Sequence, residues 1–208
     1  MNRILQLLMA VAVASLAGCM SYTPTGPLGA PLAKAPVTLP MGAQVVDVAV
    51  DAPRLNDTRR ALVSQQLTDQ VSRYVAQTDY FNQVITFPTK AGDKDVVLKF
   101  DFTSLYGHRA MHAGYLPGAL LTLTIWIWVD GPIYVDTFDL AGSLTIEDTH
   151  GKVLAKTEQQ VNLKRNVGLY DREYWAMTRG APQLRELVAK LLADGTAKLP
   201  KQELAAHE

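Results

Sequence analysis

One stretch of the chain decides the fold, and it consists of Leu144-Thr145-Ile146-Glu147-Asp148-Thr149-His150-Gly151-Lys152-Val153-Leu154. Two runs of alternating apolar and polar residues extend it on either side, to Thr137 and to Lys164. Residues 148–152 between them are suited to a turn, because Gly151 can adopt a positive φ. We therefore predict a β-hairpin with arms Thr137–Glu147 and Val153–Lys164.

Outward from this hairpin, hydrophobic periodicity predicts three further strands and two helices. The strands cover 44–50, 80–87 and 96–102, and the helices cover 57–76 and 182–193, with Gly195 as a stop signal. With the segment 115–135, discussed below, the predicted order is β-α-β-β-β-β-β-α. We expect one α+β domain over residues 43–195, in which two helices pack on one face of a mainly antiparallel sheet. Residues 196–208 are predicted to be a flexible tail.

The N-terminus has the pattern of a secretory signal peptide over residues 1–18. A short start with one positive charge, Arg3, precedes an apolar stretch, which closes with Leu16-Ala17-Gly18-Cys19. That run resembles the bacterial lipobox. The resemblance implies that the signal is removed, that the Cys19 thiol receives a diacylglyceryl group, and that the new amino terminus is acylated, for example with palmitate. The alternative is a plain signal peptide with an incidental cysteine. A membrane-spanning helix is excluded because the stretch is shorter than about 20 residues.

The residues after Cys19 predict where the domain lies. In such lipoproteins an aspartate after the cysteine favours the inner membrane, so Met20 implies the outer membrane, with the domain facing the periplasm. Residues 20–42 contain five prolines and three glycines. This composition predicts a semi-extended tether between the lipidated Cys19 and the domain, and the alternative is a tail packed along the domain.

Two short motifs carry a resemblance to a family of folded domains. They are Asp95-Val96-Val97-Leu98, which enters a strand, and the hairpin run from Leu144 to Leu154. Both resemble envelope lipoproteins built like the N-terminal domain of TolB, a group that includes the exopolysaccharide-export lipoprotein PelC and the penicillin-binding-protein activator LpoB. The resemblance implies a binding or assembly role in the cell envelope and, through the ring-forming PelC, self-association.

The segment from Tyr115 to Val129 contains no charged residue. It is too short to span a bilayer as a helix, and its β-branched and aromatic content favours a strand. On a strand, one face would carry Thr122, Thr124, Trp126 and Trp128, and the opposite face would carry leucine and isoleucine. If the aliphatic face packs on the core, the Thr/Trp face is a candidate surface for lipid, a partner or a second subunit. The alternative is a central strand that is buried on both faces.

Catalytic candidates are few. His108 and His112 are four residues apart, a spacing that suits metal ligands on a helix, but Gly107, Gly114 and Pro117 favour a loop. The carboxylates Asp95, Asp101, Asp136 and Asp139 have no spacing that distinguishes paired acids from solvated strand positions. Residues 170–175 mix aromatic and charged side chains, as a recognition loop or an ordinary helix lead-in would. We expect no enzyme activity, no metal and no cofactor.

Charge gives little information about partners. Basic and acidic residues number 20 each, without long blocks of one sign, so nucleic acid is not an expected partner. The sequence therefore predicts a lipid-anchored envelope protein with a non-enzymatic binding or assembly role, whose partners are the membrane and an envelope protein or a second copy. The alternatives are a carrier of an apolar ligand, with residues 115–135 lining a groove, and a metal-dependent hydrolase that uses His108 and His112.

Overall fold

A computed structural model describes residues 19–86 and 88–199, so the predicted signal peptide lies outside the described residues. These residues form seven strands and five helices. The strands are β1 (Met20–Tyr22), β2 (Leu39–Val45), β3 (Ala49–Val50), β4 (Phe81–Ile85), β5 (Val96–Met111), β6 (Tyr134–Asp148) and β7 (Val153–Val167). The helices are α1 (Asp57–Thr78), α2 (Tyr115–Leu121), α3 (Ile125–Trp128), α4 (Arg172–Trp175) and α5 (Ala181–Ala197).

The strands form one sheet in the order β4-β2-β5-β6-β7, and β1 and β3 also pair with β5. The α+β class is confirmed, and the sheet is mixed rather than purely antiparallel. Strand β2 is parallel to both β4 and β5, and β3 is parallel to β5. The parallel pair β2–β4 follows from connectivity, because the intervening helix α1 provides the crossover that parallel strands need.

The predicted hairpin is present as β6 and β7, with each arm a few residues longer than expected. Its turn is organised by Asp148, whose carboxylate accepts hydrogen bonds from the backbone N–H groups of His150 (2.9 Å) and Lys152 (2.8 Å). The hydrogen bond from Lys152, followed by that from His150, lowers the pKa of Asp148. Gly151 has the predicted positive φ, at 86°.

The chain divides into two compact units, which are described separately. The first, the helix unit, contains residues 24–105, 139–161 and the chain from 178 onward. The second, the Cys19 unit, contains the described residues up to 23 together with 106–138 and 162–177. The long strands β5, β6 and β7 therefore contribute residues to both.

The hydrophobic core of the helix unit is built from the predicted apolar faces. Val63, Leu67, Val71 and Val75 on α1 are buried at helical spacing, and Asn56 caps this helix by accepting a 2.9 Å hydrogen bond from the backbone N–H of Arg59. Each large aliphatic side chain buried in this way contributes about 1.5–3 kcal/mol. The same core includes residues of α5, β5 and β6: Leu184, Leu187, Val188, Leu191, Leu192, Val96, Leu98, Phe100, Phe102, Leu140, Leu144 and Ile146.

Helix α5 is longer than predicted, because Gly195 does not stop it. Gly195 lies inside the helix, and a Cβ atom there would approach a Leu144 side-chain carbon to 2.9 Å. The glycine therefore permits close helix–sheet contact instead of marking an end. Residues 196–199 belong to the folded unit, with Leu199 buried, so the predicted tail begins too early.

The predicted tether is wrong for the segment that follows Cys19. Residues 20–22 are strand β1, and they pair with β5. Further along, Leu28 is only 3% exposed, and its backbone N–H donates to the Gln70 side chain on α1 (3.2 Å). The Gln70 amide in turn donates to the Thr25 carbonyl (2.8 Å). The segment gains these contacts because it can bury Leu28 and pair its backbone, which an extended tether cannot do.

Removing the Gln70 side chain should release this segment. In Gln70→Ala both hydrogen bonds are lost, so we expect the free energy of unfolding to fall by about 1–2 kcal/mol and trypsin to cleave faster after the exposed Lys34. Gln66→Ala, on an exposed position of the same helix, is the matched control and should leave the cleavage rate unchanged. Equal cleavage rates in the two variants would show that Gln70 does not hold the segment.

Candidate interaction surface

The Cys19 unit contains a buried ion pair. Arg109 on β5 and Asp136 on β6 are 4% and 2% exposed. The guanidinium donates from Nε to Oδ1 and from Nη2 to Oδ2, each at 2.6 Å, which is a bidentate arrangement. The hydrogen bond to Asp136 is the main reason why the pKa of Arg109 is raised, and burial alone would lower it. The Arg109 guanidinium therefore stays charged inside the unit.

The sequence signal for Arg109 is hidden by a change of phase along β5. Buried positions are even-numbered from Val96 to Phe102 and odd-numbered from Leu105 to Arg109. An extra residue in a strand has this effect, because it moves every later side chain to the other face. An alternation extended from Phe102 without that shift would place Arg109 on the solvent face.

Arg109 also holds the chain around α4 in place. Its Nη2 donates to the Glu173 carbonyl (2.9 Å), and its guanidinium lies over the Tyr134 ring, 5.2 Å from the centroid. The Tyr134 ring contacts Tyr174, with centroids 5.8 Å apart. Burial is the first cause of a raised pKa at Tyr174, so its hydroxyl is neutral at physiological pH.

The segment 170–175, predicted as a recognition loop or a helix lead-in, is fixed by further charged contacts. Arg165 pairs with Asp171 and with Glu173, both at 2.9 Å. The other Asp171 oxygen accepts from the backbone N–H of Gly168 (2.8 Å). Held in this way, the loop leaves Tyr170 and Trp175 largely exposed, at 59% and 71%.

The segment 115–129 is not a strand, which corrects the prediction. It forms the two short helices α2 and α3, joined by a turn in which Leu123 and Thr124 have positive φ. The turn closes on itself, because the Thr122 hydroxyl donates to the Gly118 carbonyl (2.7 Å) and accepts from the Trp126 N–H (2.9 Å). These local hydrogen bonds satisfy backbone groups that a strand would pair with a neighbour.

The four residues predicted to share one face therefore do not form one surface. Trp126 is half-buried and packs on two glycines: a Cβ at Gly118 would lie 2.6 Å from the indole ring, and Gly131 approaches it as closely. Its Nε1 donates to the Pro132 carbonyl (3.3 Å). Trp128 is 70% exposed. Thr122 is half-buried and Thr124 is exposed, so the predicted Thr/Trp face is divided between inside and outside.

The exposed face is mostly aliphatic instead. We name it the apolar surface, and it consists of Leu116, Leu120, Leu121, Leu123, Ile125, Trp128 and Val129. Leu121 and Leu123 are the most exposed of these, at 86% and 84%. The leucines neither pack on a core, as the first prediction required, nor lie in a doubly buried central strand, as its alternative required.

The apolar surface adjoins the loop that carries Tyr170. The Asp130 carboxylate, directly after α3, accepts a 3.4 Å hydrogen bond from the backbone N–H of Tyr170. The loop that exposes Tyr170 is thus hydrogen-bonded to the residue that closely follows the apolar surface in the chain. Large exposed apolar patches are typical of interaction sites, so we treat the apolar surface as the candidate interaction surface of this unit. None of the helices in the described residues is long and apolar enough to span a membrane.

The two histidines are not arranged as helical ligands. His108 lies within β5, where its Nδ1 is 3.3 Å from the Ser21 hydroxyl, and the Nδ1 of His112 accepts from the Gly114 N–H (3.1 Å). Along an extended strand, four residues span roughly 13 Å. No group of three metal-ligating side chains occurs in residues 19–86 and 88–199.

Three of the four candidate carboxylates have structural partners. Asp136 pairs with Arg109, Asp95 accepts from the N–H groups of Gly42 and Gly92 (3.0 and 2.6 Å), and Asp139 accepts from the Ser104 hydroxyl (3.3 Å). Asp101 differs, because its buried Oδ1 has no hydrogen-bond partner within the described structure.

Asp101 lines a polar cleft of about 490 Å³ in the helix unit. Lys156, Glu158 and Gln160 of β7 also line it, as do Thr103 and Ser143. Burial raises the pKa of Asp101, the neighbouring Asp51 raises it further, and Lys156 lowers it. Asp101 therefore contributes to the wall of this cleft, while its Oδ1 is closed off from solvent.

Comparison with known proteins gives distant structural likeness. No family model and no curated protein matches the chain. A crystallised protein from Xanthomonas campestris is 11% identical, with 81% of this chain and 95% of that chain covered and a TM-score of 0.45. A putative neuraminyllactose-binding hemagglutinin homologue from Helicobacter pylori is 9% identical, with 84% of this chain and 93% of that chain covered and a TM-score of 0.40. A minor lipoprotein from Acinetobacter baumannii is 13% identical, with 82% of this chain and 95% of that chain covered and a TM-score of 0.30. The resemblance to TolB-like lipoproteins stays a prediction.

The buried ion pair gives a stability prediction. Asp136→Ala leaves the Arg109 guanidinium buried without its carboxylate, so the free energy of unfolding should fall by about 3–5 kcal/mol in urea titrations. The double variant Arg109→Met/Asp136→Leu should be more stable than the single variant, because no uncompensated charge remains. Arg165→Ala breaks exposed pairs and should cost only about 0–1 kcal/mol. A double variant as unstable as Asp136→Ala would contradict this account.

Asp101 gives a pH prediction. A carboxyl group whose pKa is raised by folding destabilises the folded state when it is ionised. This cost is present at neutral pH and disappears as the pH falls through the folded-state pKa toward the unfolded value. Asp101→Asn should therefore be more stable than the native protein at about pH 7, and the difference should shrink toward about pH 4. Asp93→Asn, in an exposed turn, is the control, and a pH-independent difference at position 101 would contradict the prediction.

Proposed function

We propose that this protein is a lipid-anchored component of a bacterial cell envelope with a binding or assembly role, as an accessory lipoprotein of an export or cell-wall system. The observation that carries the proposal is the run Leu16-Ala17-Gly18-Cys19 behind an apolar signal. Cys19 is exposed and has a free thiol, so its side chain is accessible for lipid attachment. Two or more acyl chains anchor a protein stably, whereas a single chain binds only marginally.

The location in this proposal is the outer membrane, with the domain in the periplasm. Met20 supports it, because the residue after the lipidated cysteine influences sorting and aspartate there favours the inner membrane. Membrane attachment through Cys19 is the first expected interaction. The second is with an envelope protein or a second copy of the chain.

The binding role is supported by two exposed features of different chemistry. One is the apolar surface of the Cys19 unit, and the other is the polar cleft around Asp101 in the helix unit. Strand β7 is the last strand in the order of the sheet and therefore an edge strand. It carries Lys156 and Glu158, charged side chains of the kind that protect an edge from aggregation. These features favour recognition of another envelope component over the hydrolase alternative, because His108 lies in a strand and the two histidines are not arranged as helical ligands.

Cells that express the native protein should incorporate labelled palmitate into it, and the protein should sediment with the outer membrane. Cys19→Ser removes the acceptor thiol, so we expect no incorporation and retention of the signal peptide, measured by intact-protein mass spectrometry. Met20→Asp keeps the acceptor and tests sorting, because the label should remain while the protein moves to the inner-membrane fraction.

The binding role is tested in the same cells by chemical cross-linking and identification of the cross-linked species. An envelope protein or a second copy that cross-links to the native protein supports the role. A native protein that carries no lipid would contradict the anchor. A lipidated protein that yields monomer alone would contradict the role in assembly.

A further inference from the structure

The sheet begins immediately after the residue proposed as the anchor. Met20 already lies in β1, opposite Arg109, and Tyr22 lies opposite Gly107. Because β1 and β5 are antiparallel, Cys19 continues past Arg109 toward the end of β5. A lipid on Cys19, on which this inference rests through the proposed function, would therefore hold this end of the Cys19 unit at the level of the lipid headgroups, with no linker between them.

The same end of β5 leads into the apolar surface. The chain leaves β5 at Met111 and enters α2 at Tyr115, a path of at most about 14 Å. No Lys, Arg, Asp or Glu occurs between Arg109 and Asp130. The segment that follows this end of β5, next to Cys19, is thus exposed and contains no Lys, Arg, Asp or Glu.

The backbone of this segment is suited to an environment with little water. The N–H of Thr122 donates to the Gly118 carbonyl (3.0 Å), that of Thr124 to Ala119 (2.8 Å) and that of Val129 to Ile125 (3.0 Å). Such internal pairing is what a lipid environment demands of a backbone. The helices contain seven and four residues, so they can lie in the interface but cannot cross the bilayer.

We propose that the apolar surface inserts into the acyl region of the same membrane leaflet that holds the Cys19 lipid, so that the protein docks on the bilayer at two places. We favour lipid as the occupant for two reasons. The anchor at Cys19 holds the apolar surface close to the bilayer, and the side chains of this surface are apolar and uncharged. Trp128 on the surface prefers the membrane–water interface, as does Tyr170, which is exposed on the loop that hydrogen-bonds to Asp130. Docking at two places fixes the orientation of the Cys19 unit, which the lipid alone would leave free to rotate.

The experiment uses the lipidated full-length mature protein, reconstituted into vesicles of phosphatidylethanolamine and phosphatidylglycerol. Because Cys19 is the only cysteine, Leu121→Cys creates one site for a nitroxide spin label once Cys19 carries lipid. Leu62→Cys on α1, a leucine that is 61% exposed in the helix unit, is the matched control. Collision rates with oxygen, which concentrates in lipid, and with a water-soluble nickel chelate report the surroundings of each label.

We expect the ratio of oxygen to nickel collision rates to be about tenfold higher at position 121 than at position 62, as for a side chain buried several ångströms into the interface. Equal ratios at the two positions would overturn the proposal, since the surface would then face water. A label at position 121 that is shielded from both reagents would also overturn it, in favour of a protein partner or a second copy. Spin labelling of the protein without an added cysteine would instead reveal a free Cys19 thiol, so a failed anchor is distinguished from a failed docking surface.

Discussion

Strand β5 is the element on which the rest of the sheet depends. It hydrogen-bonds to β1, β2, β3 and β6, so four strands take their register from one. It can do so because its 16 residues are long enough to serve different partners at different positions. Its change of phase after Phe102 lets one strand supply apolar side chains to the core of the helix unit and the charged Arg109 to the interior of the Cys19 unit.

Within the Cys19 unit, burial of one charge organises several surface elements. A guanidinium can remain buried only if its donors are paired, and Arg109 meets this requirement with Asp136 and with the carbonyl of Glu173. The second contact ties α4 to the strands, and Arg165 fixes the same loop from the solvent side. Charged hydrogen bonds thus hold the strands and α4 together, and the exposed aromatic and aliphatic side chains lie on these elements and on the turn around Trp126.

Local signals predicted the elements whose stability is local. The hairpin follows from the turn chemistry of Asp148 and Gly151, and α1 and the apolar stripe of α5 follow from helical spacing. The segment 115–129 was predicted wrongly because its β-branched and aromatic residues favour a strand, whereas Thr122, Gly118 and Gly131 close it into a turn around Trp126. Arg109 and Asp136 are 27 residues apart, and nothing local indicates their pairing. Gly195 was predicted to end the last helix, but it lies inside α5, where it permits close contact with Leu144.

The sequence by itself determined the α+β class of the fold, the hairpin and the uncharged segment 115–129, and it predicts the lipid attachment at Cys19. These follow from short-range chemistry, in which neighbouring residues suffice. Only the tertiary structure decided that the chain after Cys19 enters the sheet at once, that the leucines of 115–129 face outward, and that Asp101 Oδ1 is buried without a hydrogen bond in the described part of the chain. The entry of the chain into the sheet and the burial of Asp101 depend on groups that are distant in sequence, because backbone pairing and burial are settled by which surfaces meet when the chain is folded. The leucines face outward because hydrogen bonds among Gly118, Thr122 and Trp126 close their segment into two short helices.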